Sequence, residues 1–168
     1  GCVDALLEVE VRSMAPLATV ARLESSKSFT RDLLEKHHVP GNPKFKVFYN
    51  EEGLKEFMED ELEGEYVVKA EGLMGGKGVK VSGEHLSTIG EGVNFATDCI
   101  KTFNRVVVEE KFVGEEFSLM CFCDGKTIIP MPAVQDHKRA HNGDTGPNTG
   151  GMGTYSDANH LLPFIKPE

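Results

Sequence analysis

Lys69 stands inside the apolar run Tyr66-Val67-Val68-Lys69-Ala70 and is followed by Glu71 to Gly78, which holds Gly72, Gly75, Gly76 and Gly78. An ammonium group among valines is costly unless it meets an anion or a carboxylate, or unless the strand turns it to solvent. Clustered glycines let the backbone take positive φ and turn several N–H groups together toward a phosphate. Lys69 with Gly75, Gly76, Lys77 and Gly78 therefore makes a candidate phosphate site, with a plain hairpin loop as the alternative. The spacing is not that of a P-loop, and these glycines join two strands where a P-loop opens a helix.

Two further groups of residues carry chemistry. In Val107-Val108-Glu109-Glu110-Lys111-Phe112-Val113-Gly114-Glu115-Glu116 a strand runs out into a short linker. Its exposed backbone N–H and C=O groups can read the edge of an adenine, and the carboxylate of Glu116 can accept both hydroxyls of a ribose; solvated turn charges are the alternative. Gln135-Asp136-His137-Lys138-Arg139, Asn142-Gly143-Asp144 and Gly146-Pro147-Asn148-Thr149-Gly150-Gly151-Met152-Gly153 crowd cations, carboxylates and amides onto glycine-rich backbone. That composition suits a ligand bearing a phosphate and neutral hydroxyls. His37, His38, His137 and His141 lack metal-ligand spacing with nearby carboxylates, so no metal site is expected from them.

The elements that must position these residues follow from periodicity. Ser25 or Ser26 caps a helix with Phe29, Leu33 and Leu34 on one face, stopped at Val39-Pro40-Gly41. Lys44 to Tyr49 reads as a strand, and Leu54, Phe57, Met58 and Leu62 follow at helical spacing behind an Asn50 cap. Tyr66 to Ala70 and Val79 to Val81 read as strands on either side of the glycines. Ile89, Val93, Ala96, Ile100 and Phe103 form one helical stripe, expected to cover the sheet. Val106 begins another strand. Phe117 to Cys123 is expected to pair with Thr127 to Ile129 across a two-residue Asp124-Gly125 turn. Residues 135 to 153, almost without large apolar side chains, read as a long loop.

The 168 residues, 39% hydrophobic and 27% charged, bound a soluble globular chain of one domain or slightly more. A net charge of −9 with scattered basic residues disfavours nucleic acid, although a few lysines and amides focused in one cleft still attract an anion. Cys121 and Cys123 share one strand face, Cys2 and Cys99 add no zinc pattern, and all four are expected as reduced thiols, buried, in a cytoplasmic setting. No apolar run is long enough to span a membrane, and no signal peptide is evident. The sequence opens at Gly1 within a helix-like run and closes on Pro167-Glu168, so both ends read as internal to a longer chain.

The segments Val67 to Val79 and Gln135 to Arg139 with Gly146 to Gly153 resemble the signature of glycinamide ribonucleotide synthetases, in the ATP-grasp superfamily, and the similarity extends over nearly the whole chain, including Glu24 to Phe29. The resemblance implies an α+β ATP-grasp fold, an antiparallel sheet with helices on one face, plus part of the adjoining unit. Residues 1–40 would be a segment and helix of the larger ATP-grasp unit, 41–115 the small subdomain with the glycine lid, and 116–168 an incomplete part of the larger unit with the substrate loop. It implies that Lys27 and Lys69 contact ATP phosphates, that Gly75, Gly76, Lys77 and Gly78 form the lid, that Glu109, Glu110, Lys111 and Phe112 form the adenine linker and that Glu116 holds the ribose. Asp136, His137, Lys138, Asp144, Asn148, Thr149, Gly150, Gly151 and Met152 would line the substrate side, with Lys69, Arg139 and Asn148 catalytic. The implied reaction is ATP-dependent ligation of glycine to 5-phosphoribosylamine through a glycyl phosphate, in purine biosynthesis. The Mg2+ ligands are expected outside this stretch, so that the chain alone would not turn over. Another ATP-grasp carboxylate–amine ligase, a biotin-dependent carboxylase and a non-catalytic nucleotide-binding module are the competing readings.

Overall fold

The computed structural model describes residues 1–74 and 78–166, and Asn148 by its backbone alone; the expected lid residues Gly75, Gly76 and Lys77 lie outside the described residues. The chain forms two compact units, Gly1–Phe112 and Val113–Glu168.

In the first unit, helices α1 (Cys2–Glu8), α2 (Ala18–Ser25) and α3 (Lys27–Lys36) precede a four-stranded sheet. Its strands are β1 (Phe45–Phe48), β2 (Tyr66–Ala70), β3 (Val79–Val81) and β4 (Val106–Glu110), in the order β1-β4-β2-β3 with every pairing antiparallel. Ser26 begins α3, as expected of a side-chain oxygen that satisfies an orphan amide: its Oγ accepts from Phe29 N at 3.3 Å. Behind β1, Asn50 spends its side chain on an Asx turn, accepting from Glu52 N at 3.0 Å. The following helix therefore starts at Gly53 (φ 71°) and not at the Asn50 cap expected from sequence. It runs as α4 (Leu54–Glu56) into a π-helical turn, Phe57–Glu61, closed by Leu62 N donating to Phe57 O at 3.1 Å.

Strand alternation sorts the sheet into two faces. Tyr66, Val68 and Ala70 of β2 and Val106 and Val108 of β4 point into the core with Phe48, Leu54, Phe57, Met58, Leu62, Ala96 and Cys99. Helix α5 (Ile89–Phe103) covers that face along its expected stripe, capped by Thr88 Oγ1, which accepts from Glu91 N at 3.2 Å. Each buried aliphatic or aromatic side chain contributes about 1.5–3 kcal/mol of transfer free energy. The other face carries Val67 and Lys69 of β2 and Val107 and Glu109 of β4, and α3 packs against it through Arg31.

The second unit is built from two hairpins: β5 (Cys121–Cys123) with β6 (Ile128–Pro130), and β7 (Gln135–His141) with β8 (Thr145–Tyr155). Both correct the expectations. Cys123 pairs with Ile128, so the first turn spans Asp124 to Thr127 and is not a two-residue Asp124-Gly125 turn. Asp124 Oδ1 accepts from Lys126 N (2.9 Å) and Thr127 N (2.7 Å), a side-chain-closed turn that outcompetes the tighter one. Cys121 and Cys123 are exposed because β5–β6 has no second layer over it within this unit, Cys2 is exposed on α1, which buries no residue, and only Cys99 is buried. The stretch 135–153 is a bulged β-ladder where a loop was expected. Backbone pairing needs no apolar side chains, and neither face here is buried, so the period-two signal was missing.

Candidate functional site

Two clusters, one in each unit, gather part of the described residues singled out by sequence. In the first, Glu109 of β4 is 3% exposed and lies between two cations. Arg31 of α3 makes a two-pronged contact, Nε to Oε2 at 2.7 Å and Nη2 to Oε1 at 2.9 Å, and Lys69 Nζ pairs with the same carboxylate. Lys69 is thus a strand lysine that turns away from the core to meet a carboxylate. Lys27, the first residue of α3, donates from Nζ to Gly72 O at 2.6 Å. Gly72 has φ 89°, which glycine adopts at no steric cost, and it is where β2 gives way to the glycine-rich segment.

One residue that sequence reasoning did not single out organises this end. Glu71 is 7% exposed and its carboxylate accepts from Ser26 Oγ, Ser28 N (3.2 Å) and Ser28 Oγ (3.2 Å), with Arg105 Nη2 at 3.4 Å. Only its place directly before the glycines could have marked it. Lys27, Arg31, Lys69 and Arg105 set four cations against the two carboxylates Glu71 and Glu109. In a chain of charge −9 this is a locally positive cluster. Burial holds the Lys27 ammonium below its ordinary 10.5, with nearby Lys69 adding to the fall and Glu71 and Glu109 opposing it. The folded state therefore binds fewer protons than the unfolded one between that lowered value and 10.5, and Lys27 opposes folding at neutral pH but ceases to as pH rises through this window. We expect the stability difference between wild type and Lys27→Met, read by urea unfolding, to shift toward the wild type across those alkaline pH values.

Beside the cluster lies a recess of about 300 Å³ lined by the apolar Val67, Val79 and Phe112 and the charged Arg31, Lys69, Glu109 and Glu110. Glu110 is exposed and accepts from Lys44 N at 3.2 Å. Lys111 is directed elsewhere, with Nζ 3.1 Å from Ser82 O and 2.9 Å from Glu65. Gly78 is buried, and a Cβ there would meet Met74 Sδ at 2.7 Å.

In the second unit, Glu116 accepts from Lys138 Nζ at 2.9 Å, a hydrogen bond that raises the Lys138 pKa. Thr149 Oγ1 donates to Lys138 O (2.9 Å) and accepts from Gly151 N (3.0 Å). Arg139 Nη1 donates to Gly146 O at 3.0 Å, and the His137 ring stacks on Tyr155 at 5.8 Å. Asp136 Oδ1 is buried and makes no hydrogen bond to the described residues; a Cβ at Gly151 would come within 3.0 Å of it. Asp144 sits in the β7–β8 turn at φ 55°, Gly150 lies in β8, and Met152 is 61% exposed. Asn148 pairs with Arg139 through the backbone ladder. Among the described residues no group of three or more His, Cys, Asp or Glu is placed to hold a metal, and no helix is long and apolar enough to cross a membrane.

Comparison with known proteins bears on these clusters. Residues 25–167 match the family of phosphoribosylglycinamide synthetase, ATP-grasp (A) domain. A phosphoribosylamine–glycine ligase of Methanothermobacter thermautotrophicus is 51% identical over 98% of the chain, and that of Pyrococcus horikoshii is 44% identical over 98%. The crystal structure of the Thermotoga maritima phosphoribosylamine–glycine ligase superposes with a TM-score of 0.74 at 34% identity, covering 84% of this chain and 36% of that one. The chain spans about 38% of the length of the curated relatives it matches.

Proposed function

The chain belongs to the phosphoribosylglycinamide synthetase family, within its ATP-grasp domain, and on that premise we propose that it is the nucleotide-binding part of a cytoplasmic ligase joining glycine to 5-phosphoribosylamine. The observation that carries this is the positive cluster of Lys27, Arg31 and Lys69 beside a recess lined in part by apolar side chains, on the sheet face opposite α5. A polyphosphate needs cations already gathered, and an adenine needs apolar walls with backbone groups at the rim; this face offers both.

In this reading Lys27 and Lys69 hold the phosphates, the residues from Gly75 to Gly78 close over them, and the backbone from Glu109 to Phe112 borders the base. Glu116 serves the ribose. Asp136, His137, Lys138, Asp144, Asn148 and the Thr149 to Met152 segment serve the phosphoribosylamine side, with Arg139 and Asn148 near the reacting phosphoryl group. Residues 1–40 and 116–168 belong to the larger ATP-grasp unit and 41–115 to the smaller. Mg2+ accompanies the nucleotide, held by groups outside this stretch.

The chemistry follows from the substrates. A glycine carboxylate oxygen takes the terminal phosphoryl group of ATP, releasing ADP and giving a glycyl phosphate. The phosphoribosylamine nitrogen then attacks the acyl carbon, the C–O bond to phosphate breaks, and the nitrogen loses a proton. No protein nucleophile is needed; the chain supplies position and positive charge.

Calorimetric titration of Mg-ATP into the 168-residue chain tests the proposal. Saturable binding is expected, weakened more than about tenfold by Lys69→Ala, since a hydrogen bond to a charged group contributes about 1.5–3 kcal/mol. Arg31 still holds Glu109 in that variant, so the fold should survive the substitution. Equal affinity in the two proteins would refute the assignment.

A further inference from the structure

The mechanism above leaves Glu71 without a part, yet its buried carboxylate collects four donors from two separate segments. It sits at the end of β2, directly before Gly72. Two donors come from the first turn of α3, Ser28 N and Ser28 Oγ, a third from its cap Ser26 Oγ, and Arg105, just ahead of β4, supplies a fourth. The contacts are 43 to 45 residues apart in sequence on the α3 side, so they are tertiary in origin. A carboxylate at a helix N-terminus also meets the positive end of the helix dipole.

The geometric consequence concerns Lys27. It lies between Ser26 and Ser28, both bound to Glu71, and its own Nζ reaches Gly72 O, the next carbonyl along. Arg31, one turn further along α3, is aligned on Glu109 and therefore beside Lys69. Without Glu71, α3 keeps only Lys27–Gly72 and Arg31–Glu109 among these bonds, and both use long, flexible side chains.

We infer that Glu71 is a positioning residue for the nucleotide site: by clamping the first turn of α3 to the end of β2 it holds Lys27 beside Lys69, where one polyphosphate can meet both. This rests on the proposed nucleotide-binding role of that face. The Glu71 carboxylate is occupied by protein donors, and it acts through the placement of Lys27.

The test uses Glu71→Gln, Glu71→Asp and Glu71→Ala in the 168-residue chain, each checked by circular dichroism and studied well below its melting temperature. Mg-ATP affinity should fall about tenfold in Glu71→Gln and Glu71→Ala and recover in part in Glu71→Asp, because only a carboxylate serves all the donors. Lys27 acetylation by acetic anhydride, followed by peptide mass spectrometry with Lys101 as an exposed internal reference, should quicken several-fold in Glu71→Gln and Glu71→Ala as its ammonium comes free of Gly72. It should also quicken in Glu71→Asp, which keeps the negative charge near Lys27 and so separates release from the loss of that charge. A loss of stability alone moves neither reading in the folded protein. Unchanged Lys27 reactivity, or raised reactivity with unchanged Mg-ATP affinity, would overturn the inference. If the wild type binds no Mg-ATP, the nucleotide reading fails, and the Lys27 reactivity alone then decides whether Glu71 positions that side chain.

Discussion

Replacing Glu109 by Ala is expected to lower the stability of the Gly1–Phe112 unit by about 3 kcal/mol, at the lower end of the range for breaking a buried ion pair from one side. The carboxylate is 4% exposed, whereas Arg31 and Lys69 retain 21% and 24% of their side-chain surface. Its loss therefore strands two cations that can still reach water in part, which places the cost below that of a fully buried pair. Glu109 also ties α3 to the sheet, bridging residues 78 apart in sequence. Glu109→Gln keeps the shape and one acceptor but not the charge, and should cost about half as much. Amide hydrogen exchange of β2 and β4, which reports this unit alone, measures both; protection as in wild type would show that the triad contributes nothing to stability.

Gly92→Ala should be nearly as damaging despite adding one methyl group to a helix. A Cβ at position 92 would lie 2.2 Å from Tyr66 Oη, 2.7 Å from Cζ and 2.8 Å from Cε2. The Tyr66 ring is 1% exposed and packed in the core, and its hydroxyl donates to Thr88 O at 3.3 Å, so it has nowhere to retreat. Overpacking costs about 1–3 kcal/mol and the displaced hydroxyl about 1 more, against a gain of about 1 from the better helix propensity of Ala. A net loss of about 2 kcal/mol is expected by urea unfolding. Because the nearest clash is with the hydroxyl, Tyr66→Phe in the same chain should recover about half of it, a coupling that simple loss of helix propensity would not produce.

How far the fold was legible depends on the range of the interactions that decide each part. The Ser26 cap, the α5 stripe and strands β1 to β4 rest on residues within a turn or a strand of one another, and they stand where periodicity placed them. Helix α2 was missed: it buries no residue and so leaves little amphipathic trace. The β7–β8 ladder was read as a loop for a related reason, since its strands are glycine-rich and polar on both faces.

The family was legible because Val67 to Val79, Gln135 to Arg139 and Gly146 to Gly153 resemble its signature, and the match of residues 25–167 to the family bears that out. The sequence by itself thus determined the strand that presents Lys69 and, through the resemblance those segments carry, the ATP-grasp family. Only the tertiary structure decided that Lys69 and Arg31 share one carboxylate, that Glu71 clamps α3 to the end of β2, and that Gly92 is shaped by Tyr66. Those contacts join segments 26 to 78 residues apart, and periodicity, which records only which face a residue takes, does not specify which distant side chain meets it there.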